Sequence, residues 1–141
     1  MKILLILLFA IFVCLSQTAV AQTGNVFVVQ TFKTVIPEGG SAAERDSLYS
    51  EWYERMAKKN DKIVSRKDFR HYFGQDSRDW VVITEYRNLA DFEASESVNS
   101  ELAQKAWPDS KKRAEFFRKF LRYFEGGHSD EVYRQLTKFG K

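Results

Sequence analysis

The pattern of apolar and polar positions first becomes regular between Asn25 and Ile36, which reads NVFVVQTFKTVI. Its β-branched and aromatic residues predict a strand. Alternation places apolar side chains on both faces of that strand. They are Val26, Val28 and Phe32 on one face, and Phe27, Val29 and Val35 on the other. Strands that are apolar on both faces are usually covered on both.

A turn and a helix are predicted next. Pro37 to Gly40 ends the strand, and Ser41 followed by Glu44 has the capping-box spacing, in which each side chain binds the other's exposed backbone amide. Apolar residues then recur at helical intervals, which predicts an amphipathic helix ending near Asn60. These residues are Leu48, Tyr49, Trp52, Tyr53 and Met56.

Two β-rich segments follow, Lys62 to Phe73 and Asp79 to Arg87. The short polar segment 74–78, which contains a glycine, joins them, and this arrangement predicts a β-hairpin. Asn88 is a suitable N-cap for a second helix. Asp91 would lie in the first turn of that helix, where a negative charge is stabilising.

Pro108 interrupts the helical pattern, because proline cannot continue the backbone hydrogen bonds. A third helix is predicted after it, ending at Gly126 and Gly127. Its apolar side carries Phe116, Phe117, Phe120, Leu121 and Phe124. A short final strand is predicted from about Glu131 to Thr137.

The predicted order is therefore β-α-β-β-α-α-β, which is the ferredoxin-like α+β arrangement with one extra helix in the second crossover. Right-handed crossovers place the helices on one face of a four-stranded antiparallel sheet. The other face would expose a large apolar patch, and two copies closing sheet against sheet would cover it. The sequence thus predicts a homodimer.

The first residues have the features of a secretory signal peptide. Lys2 precedes an apolar run from Ile3 to Leu15, and Ala19-Val20-Ala21 is an A-x-A cleavage site. The prediction is a signal peptide over 1–21 and a single domain over 22–141, exported to the periplasm or the medium and free of the membrane after cleavage. The alternatives are an uncleaved anchor and a lipoprotein at Cys14. A mass spectrum of the mature N-terminus, expected at Gln22, distinguishes them.

Charge and cysteine content narrow the function classes. The chain carries 22 basic and 19 acidic residues, interspersed along its length, which gives no case for nucleic-acid binding. Its only cysteine lies in the predicted signal peptide, so neither disulfide nor thiol chemistry is expected in the mature domain.

The segment DWVVITEYRNLADFEAS, Asp79 to Ser95, resembles the dimeric α+β barrel superfamily, in which such a strand runs into a helix beginning with a leucine-x-x-phenylalanine pattern. That superfamily includes antibiotic-biosynthesis monooxygenases, EthD-like proteins, NIPSNAP proteins and haem-degrading monooxygenases. Pro37 to Asp46 and Trp107 to Asp109 are also similar to segments of a group of exported bacterial proteins without an assigned activity.

The resemblance implies a cavity between sheet and helices and, often, a homodimer. It implies no single reaction, because one fold hosts many activities. The haem-degrading members use a histidine on the helix after the third strand, and 89–125 contains none. Haem is therefore not expected, and no other cofactor is predicted.

His71 is the main candidate for chemistry. Alternation puts it on one face of the second strand with Phe69 and Phe73, where it could act as a proton acceptor, bind a ligand, or simply fill an interface. Arg66 and Arg70 share the opposite face and could clamp a carboxylate if that face lines the cavity. The candidate ligand-binding residues are Tyr72, Trp80, Tyr86, Arg70 and His128.

His128, Ser129 and Asp130 do not form a catalytic triad, because neighbouring side chains on a strand point apart. A metal site joining His71, His128 and Asp130 lacks any supporting spacing, so no metal is predicted.

Two functions remain open. The first is an exported homodimer that binds a small apolar or aromatic compound. The second is a cofactor-independent monooxygenase or isomerase with His71 as the proton acceptor and Tyr72, Trp80 or Tyr86 orienting the substrate. A purely structural role would leave no pocket.

Overall fold

A computed structural model describes residues 24–139, so the predicted signal peptide lies outside the described residues. Four strands and three α-helices follow the predicted order. The strands are β1 (Val26–Thr34), β2 (Ile63–Arg70), β3 (Asp79–Tyr86) and β4 (Phe124–Arg134), and the helices are α1 (Ala42–Arg55), α2 (Leu89–Ala106) and α3 (Ser110–Leu121). Single 3₁₀ turns lie at Ala57–Lys59 and Thr137–Phe139.

The strands form one antiparallel sheet in the order β2-β3-β1-β4. Burial along β3 alternates strictly: Trp80, Val82, Thr84 and Tyr86 are buried, and the residues between them are half-buried. Such alternation is expected of a strand with one face against the core and the other facing outward. The predicted ferredoxin-like α+β fold, with its helices on one sheet face, is confirmed.

Side-chain caps begin all three helices. Asn88 Oδ1 accepts a hydrogen bond from the Asp91 amide, and Asp109 accepts from the amides of Lys111 and Lys112. At α1 only half of the predicted capping box forms. Ser41 Oγ accepts from the Glu44 amide at 3.0 Å, but the Ser41 amide donates to the Tyr123 hydroxyl, which in turn binds the Glu44 carboxylate.

The predicted ends of α3 and β4 are wrong. The third helix ends at Leu121, and the Val35 amide donates to the Tyr123 carbonyl at 2.9 Å, so the chain already joins β1 at that point. Gly126 and Gly127 lie inside β4, where three residues of β4 stand opposite one of β1. Gly127 adopts φ of +92°, so this glycine supports a β-bulge and does not cap a helix.

The main core lies between the helices and one end of the sheet. Its buried members are Met56, Ala103, Trp107, Phe116 and Phe120, with Tyr49, Trp52 and Phe124 among the half-buried residues packed against them. A second, smaller cluster of Val26, Val28 and Tyr86 lies at the other end. The two clusters leave the centre of the layer incompletely filled.

No element within residues 24–139 covers the sheet face away from the helices. Phe27, Val29, Val81 and Ile83 on it are half-buried, while Phe69 and Tyr133 are 47% and 53% exposed. We call these six residues the open face. Among the described helices, none is long and apolar enough to cross a bilayer.

Candidate functional site

A cavity of about 850 Å³ separates the helices from the inner face of the sheet. Aromatic and aliphatic side chains from every strand and helix supply most of its wall, among them Val28, Phe32, Trp52, Trp80, Phe92 and Phe120. A volume of this size is typical of small-molecule sites, which are mostly apolar with a few placed polar groups.

Arg66 is the charged side chain set deepest in the wall. Its side chain is only 11% exposed. Nε and one terminal nitrogen, Nη2, each lie 3.2 Å from a carboxylate oxygen of Asp68, and Nη2 also donates to the Tyr49 hydroxyl at 2.8 Å. The guanidinium lies over the Trp52 ring, 4.9 Å from its centroid. Burial raises the pKa of Tyr49, so this hydroxyl stays protonated and donates to Asp68.

A buried polar network joins the segment before β2 to α2 beside the cavity. Asn60, which is 3% exposed, donates to Ser95 Oγ and to Asn99 Oδ1, both at 2.9 Å, and accepts from the Lys62 amide at 3.0 Å. Ser95 lies 3.5 Å from the Tyr86 hydroxyl. Satisfied networks of this kind fix side-chain orientation, so Tyr86, Ser95 and Asn99 present a rigid polar edge to the cavity.

His128 lines the cavity beside the β4 bulge. Its ring stacks on Phe32 with centroids 4.6 Å apart, and its Nε2 lies 3.0 Å from Asp130 Oδ2. Gln30 donates to the same carboxylate at 2.7 Å. Side chains of His128 and Asp130 are 38% and 50% exposed, which places this pair at the mouth of the cavity.

The predicted site residues separate into three places. Trp80, Tyr86 and His128 line the cavity. Arg70 lines only a smaller outer recess of about 300 Å³, where it bonds Asp46 and lies 4.7 Å from the centroid of the Trp80 ring. The indole nitrogen of Trp80 is buried and has no hydrogen-bond partner among residues 24–139.

His71 and Tyr72 lie in the hairpin connection, outside the cavity wall. The prediction that His71 belongs to the second strand is wrong, because β2 ends at Arg70. The ring of His71 folds over the turn, where a Cβ on Gly74 would lie 3.1 Å from its Nε2. That nitrogen is buried and has no hydrogen-bond partner in the part of the chain that the structure describes. Tyr72 and Phe73 are 95% and 85% exposed.

Several polar groups of the cavity carry little signal in the sequence. Tyr49 belongs to an apolar stripe, which hides its polar role. Asn60, Ser95 and Asn99 match no sequence motif, because the hydrogen bonds that join them connect residues 35 or 39 positions apart. The position of Arg66 was predictable, because strand alternation puts its side chain on the face of β2 away from His71. Within residues 24–139, no group of three or more His, Cys, Asp or Glu side chains is placed to hold a metal ion.

No protein-family model matches the chain, and a search of curated proteins finds no match. Among solved structures, SnoaB of Streptomyces nogalater, a cofactor-independent oxygenase, aligns over 84% of this chain and all of its own, with a TM-score of 0.54 and 11% identity. A conserved protein from Methanosarcina mazei covers 81% of this chain and 95% of its own, with a TM-score of 0.52 and 12% identity.

This chain has the ferredoxin-like α+β fold of the antibiotic-biosynthesis monooxygenases. The resemblance noted in the segment from Asp79 to Ser95 is thereby confirmed for the fold. At these identities the likeness carries the architecture and not the activity.

Proposed function

We propose that this protein is an exported homodimer that binds a small apolar or aromatic compound in the cavity between its sheet and its helices. The observation that carries the proposal is the cavity itself, about 850 Å³ in volume and largely lined by aromatic rings. A domain with a purely structural role has no need of such a space, because protein interiors otherwise pack to the density of organic crystals.

The fixed polar groups support binding. Arg66 and the network around Asn60 interrupt an otherwise largely apolar wall on the side of β2 and β3, and their hydrogen bonds hold them in place without a ligand. Binding sites of this kind gain affinity from apolar contact and orientation from a few polar groups.

The site supports binding better than the alternative function, in which His71 acts as a proton acceptor. A general base must come within hydrogen-bond reach of its substrate, and His71 lies outside the cavity. His128 does line the cavity, but its ring belongs to a half-exposed pair at the mouth.

Replacement of Gln30 by tryptophan tests the proposed cavity. Gln30 lies on the cavity face of β1, so an indole there would fill part of the volume. We expect naphthalene to bind the wild-type protein with a Kd of about 100 μM or tighter and to bind Gln30→Trp at least about tenfold more weakly, because overlap removes the site. Equilibrium dialysis measures both.

The matched control is Glu54→Trp, which adds an indole to the exposed side of α1, away from the cavity. It is expected to bind naphthalene like the wild type. Equal affinity in all three proteins, or no binding to the wild type, would contradict the proposed cavity function.

The homodimer rests on the open face. Four of its six residues lie side by side on the central strands β1 and β3, Phe69 and Tyr133 extend it onto β2 and β4, and Lys67 and Glu131 lie beside it. Proteins that act as monomers seldom leave such an apolar surface in water. Two copies that pack face to face would cover it at the usual spacing of stacked sheets.

We expect sedimentation to show a dimer at micromolar concentration and Val81→Glu to convert it to a monomer. Val81 lies between Thr31 and Phe69 on the open face, where the dimer would bury a charge without a partner. Leu89→Glu makes the same kind of change in the helix layer and should leave the dimer intact. A monomeric wild type, or a dimeric Val81→Glu, would refute this arrangement.

A further inference from the structure

Arg66 has one unused hydrogen-bonding edge. Nε and Nη2 face Asp68 and the Tyr49 hydroxyl. Nη1 has a single contact, with Thr84 Oγ1, at 3.5 Å, which is at the outer limit for a hydrogen bond. A guanidinium carries five N–H groups, so the Nη1 edge holds donors without a good acceptor among the described residues.

That unused edge belongs to the cavity side. Thr84, the neighbour of Nη1, lines the cavity. Of the two partners of the other edge, Tyr49 also lines it and Asp68 does not. Because the Arg66 side chain is only 11% exposed, bulk water satisfies these donors poorly. An acceptor oxygen on a ligand would satisfy them.

The charge around Arg66 decides which oxygen fits. Asp68 already neutralises the guanidinium through both of its carboxylate oxygens. Glu93 and Glu96 also line the cavity, but both are exposed to solvent, so Asp68 dominates the charge beside Arg66. A second carboxylate there would add an uncompensated negative charge to a largely apolar site.

We infer that Arg66 is a specificity-determining residue that selects an uncharged carbonyl oxygen, so that the ligand is a neutral aromatic ketone, ester or amide and not an aromatic acid. This inference rests on the proposed binding function and names its ligand class. The ring system lies among the aromatic side chains, and the carbonyl accepts from Nη1 beside Thr84.

Three probes of similar shape separate the possibilities: naphthalene, acetylnaphthalene and naphthoate. With the wild-type protein, equilibrium dialysis should show acetylnaphthalene binding about tenfold more tightly than naphthalene, the value of one hydrogen bond from a charged donor. Naphthoate should bind more weakly than acetylnaphthalene. In Arg66→Met the preference for acetylnaphthalene over naphthalene should fall to about one, since the thioether donates no hydrogen bond.

Arg70→Met is the matched control. Arg70 lies on the same face of β2, also over a tryptophan ring and also paired with an aspartate, but it does not line the cavity. It should keep the full preference. If Arg66→Met fails to fold because Asp68 is left unpaired, the double variant Arg66→Met, Asp68→Leu removes both charges and serves in its place.

The outcomes distinguish the inferred carbonyl specificity from the proposed binding function on which it rests. If naphthalene and acetylnaphthalene bind the wild type equally, the carbonyl site is refuted while the cavity function stands. Tighter binding of naphthoate that depends on Arg66 would overturn the inference in favour of an acid site. If no probe binds the wild type, the proposed function itself fails.

Discussion

Replacement of Trp107 by alanine is expected to lower the free energy of unfolding by about 3–5 kcal/mol, the usual cost of removing a large buried aromatic side chain. Trp107 is 9% exposed and stacks on Phe116 with centroids 4.1 Å apart. Phe117 meets its ring edge-on, and the Arg55 guanidinium lies over it. Because several side chains of the core pack around the indole, we expect the space it leaves to collapse only in part.

Trp107 does not line the cavity, so its loss reports on the core alone. Urea unfolding followed by far-ultraviolet circular dichroism measures the effect. Trp107→Phe keeps a ring against Phe116 and should cost less than about 2 kcal/mol. Leu121→Ala, at a position 58% exposed, should cost less than about 1 kcal/mol. A loss below about 1 kcal/mol in Trp107→Ala would show that this cluster does not hold the helices together.

The sequence was informative wherever local chemistry and tertiary packing favoured the same structure. The alternating pattern of β3 in the sequence matches the alternating burial of its side chains in the structure. Asn88, a residue type that favours helix N-caps, does cap α2. Pro108 separates α2 from α3 for a reason that is entirely local. These features are sufficient to predict the order of elements and hence the sheet.

The errors arose where one residue satisfied two patterns. Phe124 fits the apolar stripe of a helix, yet it begins β4 and packs against Phe32 and Phe120. The glycines at 126 and 127 are equally suited to ending a helix and to forming a bulge, and only pairing with β1 decides between them.

The dependence on tertiary contacts also explains which parts of the candidate site the sequence could not predict. Strand alternation placed Arg66 on the face opposite His71, and that face does line the cavity. Alternation could not show that β2 ends at Arg70, just before His71, because the end of a hairpin strand depends on its partner strand and its turn. Nor could it show that Asp68 and Tyr49 occupy one edge of Arg66 and leave the other unused, since that requires side chains from two elements.

Replacement of Gly40 by alanine is expected to cost about 1–3 kcal/mol, as overpacking commonly does. A Cβ at this position would lie 2.6 Å from the Tyr123 hydroxyl oxygen and 3.0 Å from Pro37 Cγ. Tyr123 cannot move aside: it is fully buried, and its hydroxyl accepts from the Ser41 amide and donates to Glu44. That hydroxyl also lowers the pKa of the Glu44 carboxyl, so one oxygen organises the start of α1.

A double-mutant cycle with Tyr123→Phe identifies the cause, because phenylalanine removes the oxygen that the new methyl group would strike. We expect Gly40→Ala to cost at least about 1 kcal/mol less in that background than in the wild type. Gly39→Ala provides the control: its cost comes from φ of +69°, with no atom within 4 Å of the new Cβ, so it should add independently to Tyr123→Phe. Equal costs of Gly40→Ala in both backgrounds, measured by urea unfolding, would place the strain at Pro37 and not at the Tyr123 hydroxyl, which joins the turn between α3 and β4 to the N-terminus of α1.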